Sequence, residues 1–142
     1  MTADAGRPPI LLIRGVGHLG GQIDFHLLDQ DGGTQLVGRR DGPQPGDDLE
    51  MLVHDVATTG TSFQDVIVDL EPVKWLNSTG LGWLVGLNRR RKLQGDTVVL
   101  AGVNERIAQL LSTTSLDLVL DSYETVEAAA HALRGDGGPP AG

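Results

Sequence analysis

Helix-like and strand-like patterns of apolar residues alternate along the chain from Asp47 onward. Short apolar runs predict buried strands at 65–70, where β-branched residues predominate, and at 97–103, and a further short strand at 116–120. Apolar residues that recur every three or four positions predict helices at 47–57, after Ser78, at 104–111 and at 121–133. Strands that alternate with helices are typical of a sheet with helical crossovers. We therefore expect one α/β domain with a mixed, mostly parallel sheet of about four to five strands and helices packed mainly on one face.

Polar residues stand where three of the predicted helices begin. Asp47 and Glu50 have the spacing of a capping box, as do Asp121 and Glu124. Asn104 directly follows the second predicted strand and is placed as an N-cap. Because a cap satisfies backbone N–H groups that a helix leaves unpaired, these residues predict where each helix starts.

The two ends of the chain differ in composition from its middle. Residues 1–9 and 135–142 are small, polar and rich in Pro or Gly, so we expect disordered tails there. Between them we find no internal repeat and no linker long enough to separate two domains. The domain is therefore expected to span residues 10–134.

A glycine motif near the start of the chain allows one interpretation of the first forty residues. Gly15, Gly17 and Gly20 have GxGxxG spacing after an apolar run, and Leu19, Ile23 and Leu27 share one helical stripe. A strand, this motif and a helix resemble the first unit of a dinucleotide-binding fold, in which a pyrophosphate meets the helix N-terminus.

A hairpin is the alternative for the same segment. Ile23, Phe25 and Leu27 also alternate as a strand does, and QIDFHLL is joined to TQLVGRR through Asp31-Gly32-Gly33. We prefer the hairpin, because the remaining chain lacks residues suited to hydride chemistry and is too short for a complete dinucleotide fold. Residues 10–21 are then an extra strand or arm, and no cofactor is expected.

Charge and composition limit the classes of partner. The chain of 142 residues carries a net charge of −8, which argues against a general nucleic-acid surface and against an anionic membrane surface. The single basic run, 89–92, is interpreted as a solvated helix end or as a contact for an acidic partner. There is no cysteine, so disulfides and thiolate chemistry are excluded.

Other chemical signals are weak. The four histidines are scattered without the close spacing of metal ligands, so we expect no metal site. No apolar stretch approaches the roughly 18 residues of a membrane span, and the N-terminus does not resemble a signal peptide. We therefore expect a cytoplasmic protein without membrane insertion.

The stretch WLNSTGLGWLVGL, 75–87, stands out because two hydroxyls begin a helical pattern interrupted by glycines. A helix N-terminus has free N–H groups and a partial positive charge, so Ser78 is either a cap or a site that accommodates a phosphate. Gly80, Gly82 and Gly86 weaken a helix but allow close approach of a partner. Of Trp75 and Trp83, one is expected in the core and the other on a docking surface.

From about Leu36 to Leu133 the chain resembles the STAS domains of bacterial anti-sigma factor antagonists. The resemblance rests on a buried strand ending in Asp69-Leu70, followed by Asn77-Ser78-Thr79-Gly80-Leu81-Gly82 and an apolar helix, VIVDLEPVKWLNSTGLGWLVGL. Gly38-Arg39-Arg40-Asp41 is similar to a Gly-x-x-Asp element of the same family. The chain departs from the pattern at Asn77, where the motif has Asp, and at Ser115, where the family usually has Gly.

The resemblance implies a partner-switching binder that is not an enzyme. Such proteins bind an anti-sigma factor that is also a serine kinase, and a phosphatase reverses the phosphorylation that ends binding. By this resemblance Ser78 is the phosphorylated residue. The remaining switch-loop and partner-binding residues are Asp41, Asp69, Asn77, Thr79, Gly80, Leu81, Gly82 and Trp83. The alternative, which the change to Asn77 leaves open, is a STAS scaffold that is never phosphorylated, in a signalling or lipid-transport complex.

Overall fold

The computed structural model describes residues 9–18, 22–29, 33–41, 51, 53–54, 56, 63, 65–76 and 78–134, and of residues 16–18, 75 and 134 it describes the backbone alone. The strands in this part of the chain are β1 Ile10–His18, β2 Gln22–Leu28, β3 Thr34–Asp41, β4 Val66–Asp69, β5 Val73–Trp75, β6 Val98–Ala101 and β7 Ser122–Tyr123. The helices are α1 Ser78–Leu93, α2 Glu105–Thr113 and α3 Val126–Arg134. Met51, Val53, His54 and Val56 are also helical. Apart from Pro9, the predicted tails lie outside the described residues, as do Asp47 and Glu50.

All seven described strands belong to one sheet, in the order β3-β2-β1-β4-β6-β7, with β5 paired to β1. The pairs β1–β4, β1–β5, β4–β6 and β6–β7 are parallel, and β1–β2 and β2–β3 are antiparallel. The predicted mixed, mostly parallel sheet is therefore confirmed. The strand count is higher than predicted, because β1 is a full strand and because β5 and β7 are too short to show a sequence pattern.

The hairpin interpretation of the N-terminal segment is confirmed. β2 and β3 pair antiparallel from Gln22↔Asp41 to Leu28↔Thr34. β1 is a central strand rather than an arm, since it lies between β2 and β4 and Ile10–Ile13 are all buried. Gly15 and Gly17 lie within β1, and a strand stands where a dinucleotide fold needs a helix. The dinucleotide interpretation is therefore wrong; Gly20 is outside the described residues.

Alternation along the strands divides the core between the two faces of the sheet. Leu11, Ile13, Val66 and Val68 point to one face and pack with residues of α1 and α2 and with Val53 and Val56. Ile10, Leu12, Ile67 and Val99 point to the other face and pack with Ala129 and Ala130 of α3. Two of the three fully described helices thus share a face, as the sequence predicted.

The predicted strand at 116–120 is wrong. Leu116–Leu118 form a 3₁₀ helix, and Leu118 is 81% exposed, so the apolar run does not enter the sheet. Ser115 precedes it with φ 63°, a left-handed conformation that favours glycine, which accounts for the glycine usual at this position in the family that the sequence resembles. The strand β7 follows at Ser122–Tyr123 instead.

The helix starts agree with the predicted caps at one site and differ at another. Asn104 accepts a hydrogen bond from the N–H of Ile107 at 2.8 Å, as predicted for an N-cap of α2. At α3 the cap is Thr125, whose Oγ1 accepts from the N–H of Ala128 at 3.0 Å. The predicted capping box of Asp121 and Glu124 is wrong, because Ser122 and Tyr123 are in β7.

The basic run at the end of α1 is only partly solvated. Arg91 is buried because it follows Leu84 and Leu87 on the inward stripe of the helix. Its guanidinium carbon lies 5.4 Å from the centroid of the Phe63 ring, and Nη1 lies 3.3 Å from Asp96 Oδ2. Arg91 therefore fixes the end of α1 against the segment leading to β6.

Candidate functional site

The candidate site lies at the edge of the sheet where the parallel strands end. β4 ends at Asp69 and turns into β5, whose last residue, Trp75, precedes the start of α1 at Ser78 by three positions. Asp41 lies at the same edge, because it pairs with Gln22 and Gln22 in turn pairs with Val16 near the end of β1. The fold thus brings Asp41, Asp69 and Ser78 to one edge from strands far apart in sequence.

Ser78 is exposed and is the first residue of α1. The first turn of α1 contains no acidic residue. The partial positive charge of a helix N-terminus favours an anion at this position. The Ser78 side chain is therefore accessible to solvent at the positive end of the α1 dipole.

The residues after Ser78 alternate between surface and core. Thr79 and Gly82 are exposed, whereas Gly80, Leu81 and Trp83 are buried. Trp83 is 7% exposed and packs in the core, as predicted for one of the two tryptophans. An added Cβ at Gly82 would meet no atom of the described residues within 4 Å. The Trp75 side chain and Asn77 lie outside the described residues.

Asp69 fixes the turn between β4 and β5. It is 5% exposed, its Oδ2 lies 2.8 Å from Arg14 Nε, and its Oδ1 accepts from the N–H of Glu71 at 3.0 Å. A buried carboxylate needs such partners, because its desolvation is otherwise costly. Asp69 therefore acts as a strand-end anchor for the segment that leads to Ser78.

Asp69 also belongs to a row of alternating charges on the α3 face of the sheet. Arg14 is the register partner of both Asp69 and Asp24, and Asp24 pairs with Arg39, whose Nε lies 2.8 Å from Asp24 Oδ1. His26 follows Asp24 by two residues on β2 and therefore lies on the same face of the sheet. Burial lowers the pKa of His26, and the positive charge of Arg14 lowers it further. The row links β4, β1, β2 and β3 on the strands that end at the site.

Asn104, at the start of α2, also holds β5 in position. Its Nδ2 donates to the carbonyl oxygens of Val73 at 3.1 Å and Lys74 at 3.2 Å, while its Oδ1 caps α2. One side chain therefore ties the start of α2 to β5. The sequence indicated the cap alone, since nothing in the pattern around Asn104 reveals that β5 runs beside it.

Replacing Asn104 with Ala is expected to destabilise the protein by about 1–2 kcal/mol, because a cap and two hydrogen bonds to β5 are lost. We expect faster hydrogen exchange of the backbone amides of residues 73–79. Thr125→Ala is the matched control, since it removes the cap of α3. The capping bond of Thr125 lies within α3 and does not involve β5. Equal exchange at 73–79 in both variants would contradict the positioning role of Asn104.

Within the described ranges, no helix is long and apolar enough to cross a membrane. In the same part of the chain, no three His, Asp or Glu side chains come together in a way that could hold a metal ion.

Comparisons with known proteins agree with this architecture. The family model of the STAS domain matches residues 15–129. The anti-sigma-B factor antagonist of Staphylococcus aureus is 31% identical over 80 residues, which cover 56% of this chain and 72% of that protein.

Two solved structures share the fold. The crystal structure of a Thermotoga maritima protein described as an anti-sigma factor antagonist superposes with a TM-score of 0.52 at 23% identity, covering 61% of this chain and 79% of that one. The NMR structure of that protein gives a TM-score of 0.61 at 16% identity, covering 94% of this chain and 85% of the other. From the match to the family model and the relationship to the S. aureus protein, the chain belongs to the STAS domain family and has anti-sigma factor antagonists among its relatives.

Proposed function

We propose that this protein is an anti-sigma factor antagonist that binds an anti-sigma factor with serine-kinase activity. In the unphosphorylated state the chain occupies the anti-sigma factor and so releases a sigma factor. Phosphorylation of Ser78 ends the complex, and a phosphatase restores it. The observation that carries the proposal is the exposed hydroxyl of Ser78 at the start of α1. The segment that leads to Ser78 is held by Asp69 at the turn before β5 and by Asn104, which bonds to β5.

The physical chemistry of Ser78 suits a switch. Phosphorylation converts a neutral hydroxyl into a group of about −1.5 to −2 charge at neutral pH. The N-terminus of α1 stabilises that charge, so the modified protein stays folded while its surface changes. A protein interface that closed over Ser78 would have to desolvate the phosphate, which opposes binding. In this account Ser78 receives the phosphoryl group and the chain itself catalyses nothing.

The sequence also motivates a second candidate function. Asn77 stands where the resembled motif has Asp, which removes a negative charge next to the acceptor hydroxyl. If that charge is needed by the kinase, the chain is a STAS scaffold that binds its partner constitutively. The two candidates differ in one measurable property, since the scaffold binds equally well when residue 78 carries a negative charge.

The proposed function is tested with the purified full chain and the anti-sigma kinase of the same organism in complex with its sigma factor. We expect the unphosphorylated chain to bind the kinase and to displace the sigma factor, measured by calorimetry and by size-exclusion chromatography. An absence of binding to every anti-sigma kinase encoded by that organism would contradict the proposal.

A further inference from the structure

A groove runs beside the segment that joins β5 to Ser78, between the end of β5 and one face of α2. Two adjoining cavities of about 450 Å³ each share Arg106 and Gln109 in their lining. Along α2 the groove is lined by Arg106, Gln109, Leu110 and Thr113, which are spaced to share one helical face. Lys74 and Leu76 line it from the side of β5.

The groove is continuous with the site already described. Leu76 precedes Ser78 by two positions, and Asn104 lines one end of the groove while holding β5 in place. Leu76 and Ile107 are buried and provide an apolar floor, with Leu110 partly buried beside them. A segment seated in the groove would therefore lie next to the first turn of α1.

The charge of the groove differs from that of the whole protein. Lys74 and Arg106 are exposed, and neither pairs with a carboxylate anywhere in the described part of the chain. Among the described residues that line the groove, Glu105 is the one acidic residue. The chain as a whole carries −8, so two unpaired cations over an apolar floor form a local exception that favours an acidic partner.

We propose that this groove binds an acidic segment of the anti-sigma factor, with apolar side chains on the floor formed by Leu76 and Ile107 and a carboxylate facing Arg106 and Lys74. The inference rests on the proposed function and extends it, because it assigns a second contact surface next to Ser78. It also adds a reason for the switch: a phosphate on Ser78 repels the acidic segment that the groove attracts.

Charge reversal in the groove provides the test. Arg106→Glu and Lys74→Glu are each expected to weaken binding of the anti-sigma factor about 10- to 100-fold, and the wild-type affinity is expected to fall with rising salt. Both side chains are exposed, so the variants should keep the wild-type melting temperature. Lys92→Glu is the comparison variant, because it makes the same charge change at the exposed far end of α1, in the basic run 89–92 that the sequence left open as a contact for an acidic partner.

The outcomes separate the two proposals. Weakened binding in the groove variants but not in Lys92→Glu supports the groove. If wild type binds and the groove variants bind equally well, the groove is wrong while the proposed function stands. An equal loss in Lys92→Glu would show an effect of net charge or of the basic run 89–92 and would also overturn the groove. If wild type binds no anti-sigma factor, both proposals are wrong.

Discussion

Substituting Asp for Ser78 is expected to weaken the complex with the anti-sigma factor by about 2–4 kcal/mol, roughly 30- to 700-fold in Kd. The exposed hydroxyl at the start of α1 is replaced by a carboxylate that a closing interface must desolvate without a partner. Binding is measured by calorimetry with the unphosphorylated kinase. Ser78→Ala should bind within a few-fold of wild type, since it adds no charge.

The fold itself should not lose stability in the Ser78→Asp variant. A carboxylate in the first turn of α1 interacts favourably with the helix dipole, by about 0.3–1 kcal/mol. A loss of binding without a loss of stability therefore identifies a surface effect. Ala128→Asp is the control for a charge in a first helical turn, because Ala128 is exposed near the start of α3, on the other face of the sheet. A Ser78→Asp variant that binds as tightly as wild type would favour the constitutive scaffold.

Replacing Gly102 with Ala is expected to destabilise the protein by about 2–4 kcal/mol. Gly102 has φ +69°, and an added Cβ would lie 2.8 Å from Glu71 Cβ and 3.0 Å from its Cα and N. The Cα and N of Glu71 are backbone atoms and its Cβ is fixed to them, so no side-chain rotation relieves the contact. Because the N–H of Glu71 bonds to Asp69, the displacement also disturbs the turn that leads to β5 and Ser78.

Gly95→Ala separates backbone conformation from the collision. Gly95 has φ +82°, but an added Cβ there would meet no atom within 4 Å in the part of the chain that the structure describes. We expect Gly95→Ala to cost about 1 kcal/mol, clearly less than Gly102→Ala, in urea denaturation. Equal losses of unfolding free energy in the two variants would show that the approach of Glu71 to Gly102 has no energetic consequence.

Sequence patterns predicted those elements whose burial is decided locally. The strands β4 and β6 are continuous apolar runs because both faces of the sheet are covered, and Asn104 caps α2 through a bond to a residue three positions away. The central position of β1 was not predictable, since it depends on pairing with β4, more than fifty residues further along the chain. The sequence predicted a strand at 116–120, whereas Leu118 is exposed. The apolar run has the length of a strand, but a local pattern does not show whether the segment reaches the sheet.

The candidate site was predicted in part. The sequence indicated that Ser78 begins a helix, and the structure confirms it. It left open which of Trp75 and Trp83 lies in the core, and the structure shows that Trp83 does. The helical spacing of Leu81, Leu84 and Leu87 fixes which face is inward, and Trp83 is drawn in beside them. The groove along α2 depends on the tertiary approach of β5, which no local pattern encodes.

Phosphate transfer to Ser78 is the most direct test of the central claim. The purified chain is incubated with the anti-sigma kinase and ATP, and its intact mass and peptide masses are measured before and after phosphatase treatment, with Ser78→Ala in parallel. We predict the mass increase of a single phosphoryl group on wild type, located at Ser78, removed by phosphatase and accompanied by release of the kinase. A chain that binds the kinase but acquires no phosphate at Ser78, or that stays bound after phosphorylation, would contradict the account.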